Sequence, residues 1–402
     1  MTTLHLPARP LAALRPAPQP PRRIALVHDF LYTYAGAERV LEQLVALYPA
    51  ADLFSLFDFL PAAGRGFLQD KPVTTTFLQK LPGARRHHRL YCPLMPLAIE
   101  TLDVSRYDLV ISSSYLAAKG VLTRADQLHI CYCHTPVRFA WDLQGQYLRQ
   151  SGLVRGVKRL LANVLLHYLR MWDVHSANSV DAFVTNSDYV GRRVGKIYRR
   201  AATTIYPPVA VERLPLGSRK DDFYLTVSRM VPYKRIDLIV AAFARMPAKK
   251  LVVIGDGPEM KKIRRSAGAN VTLLGQQPDA VLHDHLARAR AFVFAAEEDF
   301  GIAPVEAMAC GTPVIAFGRG GAVETVAEGQ NGVLFPAQTV ESLVEAVAAF
   351  EAAPPWDYAA IRRHAGQFSA GRFREEFGDF VAREWQAFAP VAGVRAAPAR
   401  EA

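Results

Sequence analysis

Short apolar runs alternate along the chain with stretches in which apolar positions recur every third or fourth residue. Runs such as IALV, LVIS, LVVI and FVFA show no polar alternation, which predicts strands buried on both faces. The pattern predicts strands over residues 23–30, 52–57, 107–113, 129–134 and 182–186. A second set is predicted over 224–228, 251–255, 271–275, 291–296 and 313–317. Helical spacing falls between them, for example over 37–48, 235–245 and 305–310. Strands and helices in alternation imply an α/β fold whose parallel sheets are covered on both faces. The interruption, residues 206–222, holds Pro207, Pro208, Pro215 and Gly217 and reads as a linker. The expected organisation is a disordered Pro- and Arg-rich leader over 1–21, a Rossmann-like domain over 22–205, the linker, and a second such domain over 223–353. Helices over 354–390 are expected to pack back across both domains.

Composition adds exclusions. Half of the 402 residues are hydrophobic and 21% are charged, so the chain is neither fibrous nor mostly disordered. No run reaches the roughly 18 apolar residues that a spanning helix needs. Arg and Pro interrupt the leader where a signal peptide would be continuously apolar. A cytoplasmic location is therefore expected. Cys92, Cys131, Cys133 and Cys310 include one C-x-C pair, which is not a zinc spacing, and read as reduced thiols.

Charge divides the molecule. Residues 1–200 carry 25 basic and 14 acidic side chains, whereas residues 201–402 carry 23 of each, so the net +11 lies wholly in the first half. That asymmetry points to an anionic partner for the first half. The basic clusters are mixed with leucine rather than with stacking aromatics, which points away from nucleic acid. One cluster is Arg85, Arg86, His87, His88 and Arg89; another is the Leu-rich stretch 153–172 with Arg155, Lys158, Arg159 and Arg170. Basic, Leu-rich amphipathic segments suit an anionic membrane surface. A core-packing helix with solvated arginines is the competing explanation for the second.

Two places in the second half carry candidate chemistry. In SRMVPYK, Arg229 and Lys234 follow a strand end and precede a helix, a natural position for a diphosphate clamp. In EDFGIAPVE, a strand runs through a glycine loop into a helix. Gly301 permits close backbone approach, Pro304 fits a first helical turn, and free amides there accept an anion. Glu298 and Glu306 flank this loop with seven residues between them. A carboxylate accepts from sugar hydroxyls and cannot itself bind phosphate, so two acids can hold sugars at either end of a diphosphate. For Glu306 the plainer explanation is stabilisation of the helix N-terminus, about 0.3–1 kcal/mol. Gly255 and Gly257 follow a strand, but Met260 stands where a dinucleotide fingerprint needs its third glycine, so a tight turn is expected. Gly318, Gly320 and Gly321 are expected to form a close-packed loop with backbone donors.

The ordered set HDF, GAERVLEQL, YDLVISSS, YCHTPVRFAWD, VTNSDYV, SRMVPYKRIDLIVAAF, VVIGDGPE and EEDFGIAPVEAMACGTPVIAFGRGG resembles retaining glycosyltransferases of family four, across most of residues 22–345. The resemblance implies the GT-B fold: two Rossmann-like domains facing across a cleft. It implies that Arg229 and Lys234 bind the donor diphosphate, that Glu306 holds the ribose, and that Glu298 holds the donor sugar and acts in catalysis. The backbone of Phe300, Gly301 and Ile302 would contact sugar and phosphate. Gly36 would lie beside the diphosphate; the family usually has two glycines there, and here the first is Ala35. His134, in HTP, would lie close to the donor sugar as a second catalytic residue, with Asp29 and Arg138 on the acceptor side. In such enzymes a departing phosphate oxygen takes the acceptor proton. No Asp-x-Asp metal motif stands at a strand end, so neither a metal nor another cofactor is expected. The phrases HDFL, TFLQKLP, LMPLAIE, CYCHTPVRFAWD, PYKRIDL and EEDFGIAPVEA resemble bacterial polysaccharide mannosyltransferases. They imply GDP-mannose as donor, a polyprenyl-diphosphate-linked saccharide as acceptor, and a peripheral place on the inner face of the plasma membrane. A nucleotide-sugar epimerase or phosphorylase on the same fold, and a non-catalytic membrane-surface binding protein, are the competing classes.

Overall fold

The computed structural model describes residues 19–153, 155–217 and 219–388. Most of the expected leader, and residues 389–390 of the last expected helical segment, lie outside them. Two fully parallel sheets organise the chain. The first contains β1 (Ile24–His28), β2 (Asp52–Ser55), β3 (Val73–Thr75), β4 (Leu109–Ser114), β5 (Leu128–Cys133), β6 (Ala182–Thr185) and β7 (Ala202–Thr204). The second contains β8 (Tyr224–Val227), β9 (Leu251–Ile254), β10 (Val271–Gly275), β11 (Ala291–Phe294), β12 (Val314–Phe317) and β13 (Gly332–Phe335). Their orders are β3-β2-β1-β4-β5-β6-β7 and β10-β9-β8-β11-β12-β13. Each order reverses beside its first strand, and a crevice opens there at the strands' carboxyl ends.

Strands β3, β7 and β13 are not among those predicted. All three sit at sheet edges, where one side is unpaired; β3 and β7 are short, Thr-rich and partly exposed, whereas β13 (GVLF) is an apolar, mostly buried run that the prediction missed. An edge strand needs no continuous apolar run, so the signal of β3 and β7 in sequence is weak.

Five helices shape the cleft and its surroundings: α1 (Gly36–Leu47), α2 (Gly156–Ala177), α3 (Asp188–Tyr198), α4 (Ile302–Ala309) and α5 (Ala370–Phe388). Each of the first and third has a sequence-encoded start. The Glu38 carboxylate accepts the Ala35 N–H at 2.9 Å, and Ser187 Oγ accepts the Val190 N–H at 3.1 Å. Helix α5 leaves the second lobe and lays Phe373, Phe377, Phe380 and Trp385 into the core of the first, among Leu26, Leu44, Ile130 and Tyr132. Burial of each such ring is worth about 1.5–3 kcal/mol. In the segment between the sheets, Val209, Val211 and Leu214 are buried in the second lobe's core, so much of this stretch is packed chain.

Candidate active site

The loop after β8 carries Arg229 and Lys234. It rests on the turn after β9: a methyl group on Gly255 would lie 1.9 Å from the Ser228 carbonyl oxygen, and one on Gly257 would lie 2.5 Å from that of Met230. The GDG turn is thus a buttress for this loop. Arg229 is exposed and makes no ion pair among the described residues. Lys234 is more enclosed and pairs with the Glu298 carboxylate. Burial draws the Lys234 ammonium down to about 8, with Arg138 adding and Asp299 opposing.

The loop after β11 carries Glu297, Glu298 and Asp299 in succession. Phe300 then anchors it in the core beside Tyr206 and Phe368. Gly301 follows at φ 90°, a conformation that favours glycine, and α4 begins at Ile302. The first-turn amides of α4 have no intrahelical acceptor, and Glu306 on the same helix pairs with Arg39 of the first lobe. Gly320 and Gly321 close the underside, where the Gly321 N–H donates to the Glu298 carbonyl at 2.8 Å. The glycine loop after β12 is close-packed as expected, but this donor is used internally and does not face a ligand.

The first lobe supplies the opposite wall. A methyl group on Gly36 would lie 3.2 Å from Ile302 Cδ1, so the start of α1 touches the start of α4 across the cleft. Ala35 is extended at φ −142°, which any residue adopts, and alanine fits where the family usually has glycine. His134 follows β5 and is buried, with Nε2 2.8 Å from Ser113 Oγ. Burial, with His28 adding, pushes its pKa down to about 3 and keeps the ring neutral. Asp29 corrects an expectation. It is fully buried, and its two oxygens accept the N–H groups of Tyr115, Leu116, Ala117 and Ala118 at 2.6–2.9 Å. It secures the turn after β4 and has no surface to offer an acceptor. Arg138 reaches the second lobe, where it pairs with Asp299 at 3.2 Å.

The motifs do not single out several residues that the fold brings to the cleft. Arg39 pairs with Glu306 at 2.6 Å, and Arg193 with Asp299 at 2.5 Å. Tyr189 donates its hydroxyl to Glu297 at 2.6 Å, and the backbone N–H groups of Asp188 and Tyr189 donate to Glu324, both at 2.8 Å. Three consecutive acids facing a basic half were the available signal; their partners were not. Lys234, Glu298, Gly301, Ile302 and Glu306 therefore line one side of the cleft and Gly36 the other. His134 lies four residues before the arginine that bridges to Asp299. This arrangement offers cations and amide dipoles for a diphosphate between two carboxylates for hydroxyl groups.

Residues 34–213 match the family model described as Glycosyltransferase Family 4, and residues 212–366 match that described as Glycosyl transferases group 1. The chain belongs to glycosyltransferase family four. Its two facing lobes are the GT-B architecture. Among similar solved structures of this fold is Anabaena Alr3699/HepE in complex with UDP and glucose, at TM-score 0.65 and 18% identity, covering 89% of this chain and 99% of that one. Another is the sucrose-phosphate synthase from Thermosynechococcus elongatus, at TM-score 0.67 and 17% identity, covering 91% and 99%. Among relatives, a Mycolicibacterium smegmatis GDP-mannose-dependent alpha-(1-6)-phosphatidylinositol monomannoside mannosyltransferase is 28% identical over 256 residues, 54% of this chain and 65% of the relative. A Mycobacterium avium D-inositol 3-phosphate glycosyltransferase is 28% identical, over 48% of this family-four chain and 52% of its own length. The match thus spans about half to two thirds of these relatives.

Proposed function

We propose that this family-four chain transfers a hexose, mannose from GDP-mannose, with retention, onto a saccharide linked to a polyprenyl diphosphate. The observation that carries the transferase reading is the convergence on one cleft of Lys234, Glu298, Glu306 and the α4 amides, closed by Gly36 from the other lobe. Negative charge grows on the leaving diphosphate. Arg229, Lys234 and the α4 N-terminus stabilise it without a metal. Glu298 orients the donor sugar hydroxyls, Glu306 the ribose, and a phosphate oxygen takes the acceptor proton on the face it leaves. The mannosyl donor is supported by the GDP-mannose-dependent relative.

The lipid-linked acceptor is supported by the surface of the first lobe. On α2, Val157, Leu160, Leu161, Val164 and Met171 are each more than half exposed. Arg155, Lys158 and Arg159 are exposed beside them. Leu90 and Leu97 are also more than half exposed, in the segment that carries the exposed Arg85, Arg86 and Arg89, and Trp172 ties α2 to Glu100 of that segment at 2.7 Å. Among the described residues no helix is long and apolar enough to cross a membrane. A peripheral seat on an anionic bilayer, on the cytoplasmic side, covers this face and brings a lipid acceptor to the cleft.

A donor screen tests the reading. Purified protein is incubated with labelled GDP-mannose, UDP-glucose or UDP-N-acetylglucosamine and a bacterial lipid extract. Mannose is expected to move into the lipid fraction as the α-anomer. Transfer from a UDP-sugar alone would overturn the donor; an epimerised donor without acceptor, or no transfer at all, would overturn the transferase.

A further inference from the structure

Strand β4 ends in three serines, yet every one of its residues is buried. Polar side chains in such a place need partners. Ser112 Oγ lies 2.8 Å from His129 Nε2. Ser113 is the more informative. Its Oγ lies between two imidazoles, 2.8 Å from His134 Nε2 and 3.1 Å from His28 Nδ1. On its far side, His28 Nε2 is 3.5 Å from Glu38 Oε1. The other Glu38 oxygen accepts the Ala35 N–H at 2.9 Å. His28, Glu38, Ser113 and His134 are all buried, and the rings of Tyr115 and Tyr132 pack on His134 with centroids 6.1 and 5.1 Å away.

Donor and acceptor inventory gives this chain a direction. An ionised carboxylate only accepts, so His28 Nε2 donates to Glu38. A singly protonated imidazole with its N–H on Nε2 accepts at Nδ1, and in that state His28 takes the Ser113 O–H. Ser113 Oγ in turn accepts from His134 Nε2–H, which leaves Nδ1 of His134 as a bare lone pair. We infer that His134 meets the donor sugar as a hydrogen-bond acceptor through Nδ1, and that Ser113, His28 and Glu38 are positioning residues that hold it in that tautomer. The inference rests on the transferase reading for its substrate. An acceptor nitrogen favours a sugar hydroxyl and disfavours a phosphate oxygen, so it selects the sugar end of the donor. Because Glu38 also fixes Ala35 at the start of α1, one carboxylate orients both the sugar-side histidine and the loop at Gly36.

Kinetics of the full chain are compared for the wild type, Ser113→Ala, Ser113→Thr and His28→Gln, using the donor and its deoxy and deoxyfluoro analogues at each hydroxyl in turn. Ser113→Ala is expected to lower kcat about 10–100-fold with donor KM and Tm nearly unchanged, and Ser113→Thr to recover most of the loss. At one hydroxyl, fluorine should cost as much as hydrogen, since fluorine cannot donate; that penalty should shrink in Ser113→Ala. Imidazole nitrogen NMR should report His134 with its proton on Nε2. A proton on Nδ1, or a Ser113→Ala enzyme with wild-type kcat, would overturn the relay. The NMR measurement needs no substrate, so a wild type that transfers nothing would count against the transferase reading alone.

Discussion

Asp29 and Glu298 are both acids in the first residues after a strand of a parallel sheet, and their surroundings give them opposite work. Asp29 spends both oxygens on four backbone N–H groups inside the first lobe. Glu298 lies on the cleft against Lys234. Asp29→Asn should therefore cost about 3 kcal/mol in urea unfolding, since its amide turns donors against donors, and leave the acceptor KM unchanged. Glu298→Ala or Lys234→Ala should lower transfer at least about 100-fold with circular dichroism unchanged. Normal turnover by either variant would remove the site assignment. The spacing of Glu298 and Glu306 was legible because both lie on one loop and its helix. The burial of Asp29 was not, because its partners lie at 115–118, far along the chain. His129 and His134 set a pH limit. Burial lowers them to about 4 and about 3, from an unfolded value near 6.5. Between those values the unfolded chain binds more protons, so stability is full above about pH 6.5 and falls as the pH drops. Unfolding at pH 5 should show a loss of up to about 2 kcal/mol per histidine relative to pH 7.5, and His129→Gln should flatten that slope.

Among the elements, central strands were legible from their apolar runs, and α1, which starts at glycine with Glu38 as its cap, was legible from its spacing. Helix α2 was legible as a helix but not in its orientation. Leucines occupy several of its faces; Leu166 and Leu169 point inward, while Leu160 and Leu161 point out. What fixes the choice is buried and distant in sequence. Asp173 on α2 pairs with Lys119, which is 2% exposed, and also accepts from Trp141 Nε1 at 2.8 Å and Tyr198 OH at 2.9 Å. That cluster pins the inner face and leaves the basic, apolar face outward. Reversing Arg155, Lys158 and Arg159 to glutamate should weaken binding to vesicles containing phosphatidylglycerol by about 1 kcal/mol per cation, measured by flotation. Binding to anionic vesicles that survives the reversal would remove the membrane seat.

At the scale of the molecule, the two α/β halves could be read from the break in pattern, but their mutual grip could not. Three ion pairs among those that join them span 267, 161 and 106 residues: Arg39 with Glu306, Arg138 with Asp299, and Arg193 with Asp299. No local pattern encodes such partners. These contacts are polar and line the cleft, whereas the apolar tie between the halves is α5. Asp299→Asn should loosen the cleft without loosening the lobes: a larger radius of gyration in solution scattering, reversed by donor, with Tm nearly unchanged. An unchanged scattering profile would show that the two arginine pairs do not hold the gap.

Helix α5 has one more consequence. Phe373, Phe377, Phe380 and Trp385 complete a core whose other members lie between Leu26 and Ile205. A ribosome makes those rings only after every strand of both sheets. The half that is synthesised first is therefore finished last, and until then it presents an open apolar seam of a kind that chaperones bind.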